Sequence, residues 1–423
     1  MSSALTAALK YYSKKLFDLF ASFDYLQIVP LVTLLVISVL FIYGTGQQIG
    51  IYRYEIAYQK QLVWIIIGAV VWLFLALTDY RKYTLLTWPI YGISLITLTL
   101  VLFVGKVIYG AQRWLSFGGI NFQPSELGKI AALMTLAWLM SRRSFSINNF
   151  TSILLLMATA GLPFILILIE PDLGSSLVII AISITLIFSA GLSWKIIAIP
   201  FAALFLYIAT VETIWHFKDH PPLTDKNRIE MNVKTYFPFL KGYQQERILV
   251  FLDPTRDLGG RGWNQYQAQI AVGSGGMFGK GFMQGTQNQL GFLPQTVSNS
   301  DFIFPVIAEE WGFVGATGVV FLYIILVASA VRTSLLASDL FGRYIAIGTA
   351  AVLFGHSVVN IGMSIRLMPV TGLPLPLLSY GGTFVVITMA YLGFLQSIYK
   401  HRGTPGKRSE NDATKITNTR LAR

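Results

Sequence analysis

Ten stretches of this 423-residue chain stay apolar for about as long as a helix needs to cross a bilayer. They fall at about 26–43, 61–78, 86–105, 124–141, 151–169, 174–191, 195–214, 305–331, 343–363 and 381–399. A hydrocarbon core takes roughly 20 residues of helix, and backbone in lipid must satisfy its own hydrogen bonds. The alternating segments of about ten residues that build a membrane barrel are absent. The expected fold is therefore an all-α polytopic membrane protein of about ten transmembrane helices. Charged residues make up only 12% of the chain, against about 25% in a soluble domain. With no cysteine, disulfides and thiolate metal sites are excluded, and four scattered histidines make no metal cluster.

The net charge of +12 is distributed by side rather than by patch, so it reads as membrane orientation and not as a nucleic-acid surface. If the first segment is cytoplasmic, the inner loops hold Arg81, Lys82, Arg142, Arg143, Lys195, Arg332 and Arg343, with Lys400, Arg402, Lys407 and Arg408 following the last span. The short outer loops hold Arg53, Lys60, Lys106, Arg113 and Arg366. Both termini are expected inside. The interval 215–304, between spans seven and eight, becomes one long extracytoplasmic loop within a membrane domain spanning 1–402. Residues 1–25 lack a signal-peptide cleavage pattern; their apolar spacing, interleaved with Lys10, Lys14 and Lys15, suits either a helix lying on the membrane surface or a solvated basic tail. Residues 403–423 have no apolar periodicity and are expected to be a disordered cytoplasmic tail.

Most of the polar residues that are costly to place lie toward the outer half. Gln123-Pro124-Ser125-Glu126 opens span four, and Lys129 follows Glu126 by one turn, where the two can pair. A lysine that far inside a span usually faces a polar cavity. Arg113 can grip a phosphate, and Trp114 can stack on a sugar or anchor at the interface. Glu170-Pro171-Asp172 forms a tight outer turn whose two acids could bind a cation but read first as solvated turn residues. His356 and Asn360 stand one turn apart in span nine, the histidine either hydrogen-bonded in the bundle or facing a cavity. The stretch from Gly273 to Gly291 is rich in glycine, which lets backbone come close to a ligand. Lys280, Gln287 and Gln289 lie in it, and Asp301 follows at the lip of span eight. Residues 368–382 are broken by proline and glycine at membrane depth, which requires cover by protein or by a cavity, with Ser379 among them. Gln245 to Leu252, with Arg247 in it, reads as the start of a helix that ends at Asp253-Pro254. No Walker loop is present, so energy has to come from the substrate.

Four motifs make a resemblance: GAQRWL with FQPSELGK, RILVFLDP, the run from GSGGMFGKG through SDFIF to AEEWGFVG, and NIGM with MPVTGLPLPLLSYGG. Together they resemble the SEDS family (shape, elongation, division and sporulation), its rod-shape branch more than its division branch. The resemblance covers nearly all the spans. It implies a GT-C-like, inverting glycosyltransferase that polymerises the lipid-linked precursor Lipid II into glycan strands on the outer face of the bacterial cytoplasmic membrane. The partners it implies are the growing glycan strand, membrane lipid and a class B penicillin-binding protein. Asp301 matches the family's catalytic aspartate, and Trp114, Glu126 and Lys129 match its cavity residues. Undecaprenyl diphosphate would leave, with Arg113, Lys129, Arg247 and Lys280 available to its charge, and Gln287, Gln289, His356 and Ser379 available to hold substrate. No cofactor is implied beyond room for a divalent cation. Two features depart from the family: Asn299-Ser300-Asp301 stands where many members carry a histidine two residues before the aspartate, and residues 216–242 are long. A lipid flippase or a non-catalytic scaffold would use the same cavity, but a flippase needs functional polar residues through the midplane.

Overall fold

In a computed structural model the described residues are 22–46, 56–108, 111–117, 120–146, 149–191, 242–252 and 261–403. They are mostly helical. The elements are α1 Tyr25–Thr45, α2 Ile56–Leu77, a 3₁₀ turn Tyr80–Leu85, α3 Thr87–Val104, β1 Lys106–Ile108, β2 Ala111–Phe117, β3 Ile120–Phe122, α4 Pro124–Met140, α5 Phe150–Ile169 and α6 Leu173–Ser189. After these come α7 Gly242–Leu252, α8 Arg261–Ser274, α9 Thr286–Gln289, α10 Gln295–Ser298, α11 Ile303–Leu336, α12 Leu340–Ser364 and α13 Gly382–Lys400. Seven of the helices, α1–α3, α5 and α11–α13, are long and apolar enough to cross a membrane. Nine of the ten expected spans coincide with a helix to within about five residues. The seventh, at 195–214, lies outside the described residues, as do the amphipathic N-terminal segment, the 216–241 segment and the tail from 404.

The helices have ordinary starts. Asp24, Asn149, Asp172 and Asp339 each accept a backbone N–H of the helix that follows, and Pro124 occupies the first turn of α4. α12 and α13 are the most buried of the seven long spans. One core joins α4, α6, α12 and α13 through residues such as Leu133, Ile182, Ile345 and Phe394. A second joins α1, α11, α13 and the 375–378 segment. The opposite faces of α1, α2 and α5 expose Val29, Val36, Ile66, Val70 and Met157, as lipid-facing surfaces do.

Two features correct the sequence reading. The loop between α3 and α4 is a three-stranded antiparallel sheet, β1-β2-β3, with Trp114 paired to Lys106 and Leu115 to Phe122. And α11 is interrupted at Gly312, whose φ of 66° and ψ of −163° are not helical. The glycine-rich loop crosses α11 at that break. Lys280 N and Gly281 N donate to the carbonyls of Glu309 and Glu310 at 3.0 Å each, and Phe313 N and Val314 N donate to Gly276 O and Met277 O at 2.8 and 3.1 Å. A Cβ on Gly279 would sit 2.1 Å from Glu310 O. Gly275 and Gly279 therefore admit close approach of backbone to backbone, whereas Gly273, Gly276 and Gly291 have open space where a Cβ would stand.

The irregular segment 365–381 is covered by protein from Leu373 to Ser379, with Leu373, Leu375, Leu377, Leu378 and Ser379 at most 1% exposed, while Ile365 and Leu367 at its start are exposed. Side chains from four helices satisfy its carbonyls. Ser38 on α1 donates to Leu378 O at 2.7 Å and Gln61 on α2 to Ser379 O at 3.4 Å. Tyr323 on α11 donates to Pro376 O, and Asn360 on α12 to Leu373 O at 2.7 Å. Backbone without secondary structure persists here because each of these groups has a partner.

Candidate active site

At the end of the bundle where α4 and α6 begin, the sheet, the α5–α6 turn, α7, α12 and the residues before α11 bring charged side chains together. Lys129 is fully buried; its Nζ lies 2.8 Å from Glu126 Oε1 and 3.1 Å from His356 Nε2. Asp172 caps α6 through Ser175 N at 3.1 Å, and its other oxygen accepts from Gln123 at 3.2 Å and lies 3.5 Å from Ser125 Oγ. Arg113 on β2 donates to the carbonyls of Glu170, at 3.3 Å, and Pro171.

Asp301 stands in the turn before α11, half-buried. A Cβ on Gly372 would lie 3.5 Å from Asp301 Oδ2 and 3.6 Å from Arg247 Nη2, so glycine leaves room there for a carboxylate beside a guanidinium. Gly372 also has a φ of 76°, which other residues rarely adopt. The turn is tied down behind the carboxylate: Asn360 Nδ2 donates to Asp301 O at 2.8 Å, and Ser379 Oγ to Ser300 O at 2.5 Å. Burial pushes the Asp301 carboxyl above the usual carboxylate range, while the charges of Arg247 and Arg113 oppose the shift and that of Asp172 adds to it.

Of the residues expected from sequence, Arg113, Glu126, Lys129, Arg247, Asp301, His356 and Ser379 belong to this region. Trp114 is half-buried beside Arg113 on β2. Lys280, Gln287 and Gln289 belong to a different cluster. The Lys280 ammonium lies 2.6 Å from Glu309 Oε1 and 2.8 Å from Thr286 Oγ1; the backbone N–H of Gln287 donates to the same Glu309 oxygen at 3.2 Å, and the Gln289 amide donates to Met283 O. These groups hold the loop onto α11. The Glu170-Pro171-Asp172 turn is not solvated: Glu170 is 0% and Asp172 4% exposed. Among the described residues neither Glu170 carboxylate oxygen has a hydrogen-bond partner, and burial, with the charge of Asp172 beside it, pushes that carboxyl up to about 9. Asp172 and Asn360, which the sequence reading names without a role at the site, also lie in this region; two acids in a tight turn between two apolar spans were the signal for the first. An apolar groove of about 390 Å³ behind Gly312, lined by Val272, Phe304, Phe313 and Ile361 among others, includes neither Asp301 nor Lys129.

This is a polytopic helical membrane protein with a charged, partly desolvated site at one end of its bundle. A family model described as "Cell cycle protein", for FtsW, RodA and SpoVE, matches residues 24–404, and the chain belongs to that family. It is 36% identical over 382 residues to the peptidoglycan glycosyltransferase MrdB of Escherichia coli K12, covering 90% of this chain and 94% of the relative. It is 32% identical to the peptidoglycan glycosyltransferase RodA of Treponema pallidum, over 89% of this chain and 98% of that one. Among solved structures, one titled for coordination of polymerization and crosslinking by a peptidoglycan synthase complex aligns with a TM-score of 0.71 at 30% identity, covering 90% of this chain and 99% of its own. The crystal structure of Thermus thermophilus RodA aligns with a TM-score of 0.63 at 26% identity, covering 90% and 98%.

Proposed function

We propose that the chain is a peptidoglycan glycosyltransferase that polymerises Lipid II at the outer face of the bacterial cytoplasmic membrane, with both termini cytoplasmic. The observation that carries this reading is the placement of Asp301 beside Arg247 and near Arg113, in a chain whose relatives bear that enzymatic name along nearly their whole length. The acceptor sugar's 4-hydroxyl oxygen attacks the donor's anomeric carbon from the face opposite the leaving group. Asp301 takes the hydroxyl proton, the bond from anomeric carbon to diphosphate oxygen breaks, and undecaprenyl diphosphate leaves with the electron pair. Arg113, Arg247 and Lys129 are the cations available to the charge that grows on the diphosphate. The prenyl chains stay in lipid beside the bundle. The membrane domain is 1–402, and a class B penicillin-binding protein is the partner that the crosslinking half of the synthase-complex neighbour supports.

The test is glycan-chain formation from Lipid II by the purified protein. Asp301→Asn keeps the size and loses the base, so turnover should fall by about 10²–10⁴-fold. Wild-type turnover in Asp301→Asn would overturn the assignment.

A further inference from the structure

Two of the groups to which this reading gives roles, Lys129 on α4 and Asp301 before α11, share no hydrogen bond. Both are held by α12, from residues one turn apart. His356 and Asn360 are each 0% exposed. The His356 Nδ1 lies 3.1 Å from Pro374 O, and a carbonyl can only accept. The imidazole proton therefore sits on Nδ1. Nε2 carries the lone pair, and it is Nε2 that lies 3.1 Å from the Lys129 ammonium. With Glu126 taking a second N–H, one of the three ammonium protons remains for another partner. Phe384 closes the other side, its ring centroid 5.1 Å from that of His356 and 5.9 Å from Lys129 Nζ. One turn along, Asn360 spends both amide protons on carbonyls, those of Asp301 and Leu373, at 2.8 and 2.7 Å. Pro374 and Leu373 are consecutive, so the irregular segment that carries Gly372 against Asp301 is gripped by the same two side chains.

We propose that His356 and Asn360 are positioning residues that set the lysine and the base in one frame: His356 orients Lys129 as a hydrogen-bond acceptor, and Asn360 fixes the backbone of Asp301. Neither needs to touch substrate. This revises the expectation that His356 binds it, and rests on the assignment of Asp301 as base and Lys129 as a cation for the diphosphate. A histidine that merely fills core would not need its proton on one particular nitrogen. A positioning histidine does, because the other tautomer would point an N–H at an ammonium.

The experiment has a spectroscopic arm and a kinetic arm. In ¹⁵N-histidine-labelled protein in nanodiscs, the His356 resonances, identified by their loss in His356→Gln, should show Nδ1 protonated and Nε2 unprotonated. Replacing Glu126 and Lys129 together (Glu126→Gln with Lys129→Met), which leaves no lone buried charge, should move the Nε2 resonance further toward a free lone-pair nitrogen. A proton on Nε2, or no response to that replacement, overturns the proposal whatever the enzyme does. In the kinetic arm, His356→Leu should lower kcat on Lipid II by about 10- to 100-fold, the scale of a misplaced catalytic group, with KM changed far less. His356→Gln, which can still present an acceptor, should recover most of that loss. In the Glu126→Gln, Lys129→Met background, His356→Leu should cost little more. Asn360→Asp, isosteric but without the donors, should likewise lose kcat in the wild type and little in Asp301→Asn. Equal fold losses with and without Lys129 would mean that His356 acts through packing, which overturns the proposal; where a background has no measurable turnover, the resonance result decides. A wild-type protein that forms no glycan overturns the glycosyltransferase reading instead and leaves the resonance result to stand or fall by itself.

Discussion

Asp301 has to be ionised to act as a base, and its surroundings work against ionisation. Burial raises its pKa, Asp172 raises it further, and Arg247 and Arg113 pull it back. An acid whose pKa is raised loses its charge at a higher pH than a free carboxyl would. The acid limb of the pH–rate profile should therefore fall above the ordinary carboxylate range of about 4. Removing a cation that favours the charged form moves that limb further up. In Arg247→Met the pH of half-maximal turnover on the acid side should rise relative to wild type, measured as initial rates from Lipid II at fixed ionic strength. A limb that stays put, or moves down, would mean that Arg247 does not act on the base. These residues were partly legible in the sequence. Lys129 and Asp301 are charges at the edge of long apolar runs, where placement costs enough to demand a reason. Glu170 and Asp172 carried the same signal, but a turn containing proline made solvent the easy explanation. Only the fold shows the β sheet and Gln123 closing over them.

At the scale of elements, lipid made the sequence easy to read and loop chemistry made it hard. The bilayer fixes the length of a span, so α3, α4, α5 and α6 begin and end within about two residues of the expected limits. The strands were hidden because they are short and separated by glycines, and Gln112, Trp114 and Ser116 alternate with Arg113, Leu115 and Phe117 without a clean apolar face. The glycine-rich loop is ambiguous in sequence for a physical reason: close approach to a ligand and close approach to another backbone, as at Gly275 and Gly279, demand the same residue. What distinguishes them is Gly312, a second glycine on the helix that the loop crosses. Gly279 has a φ of 81° as well as the carbonyl of Glu310 against it. Gly279→Ala should destabilise the protein by about 2–4 kcal/mol, combining left-handed strain with overpacking. Gly318→Ala, on the same helix with nothing near its would-be methyl, should be neutral or stabilising by up to about 1 kcal/mol. Thermal unfolding in detergent checks both; equal behaviour of the two variants would mean that the crossing is not a tight junction.

At the scale of the whole molecule, the charges sort to the two ends of the bundle. At one end Arg332 lies 3.3 Å from Asp24 and donates to Tyr399 at 3.1 Å, and Arg81 lies 3.1 Å from Asp339. The start of α1, the end of α11, the start of α12 and the end of α13 therefore meet there, together with Lys400 and Arg402. The candidate site sits at the other end, where α4, α6 and α11 begin. The basic residues of the first end are those expected to face the cytoplasm, so the site is expected to open outward, where wall precursors are polymerised. That orientation requires an odd number of crossings between the end of α6 at Ser189 and the start of α11 at Ile303, and the sequence offers one, at 195–214. The chain contains no cysteine, so single-cysteine labelling needs no altered background. Thr224→Cys should react with a membrane-impermeant maleimide in intact cells, and Thr404→Cys only after permeabilisation. If both react from outside, or neither does, residues 195–214 do not cross once. If the pattern is reversed, the site faces the cytoplasm, where it could not extend a glycan on the cell surface, and a role in moving or scaffolding the lipid-linked precursor becomes the better account.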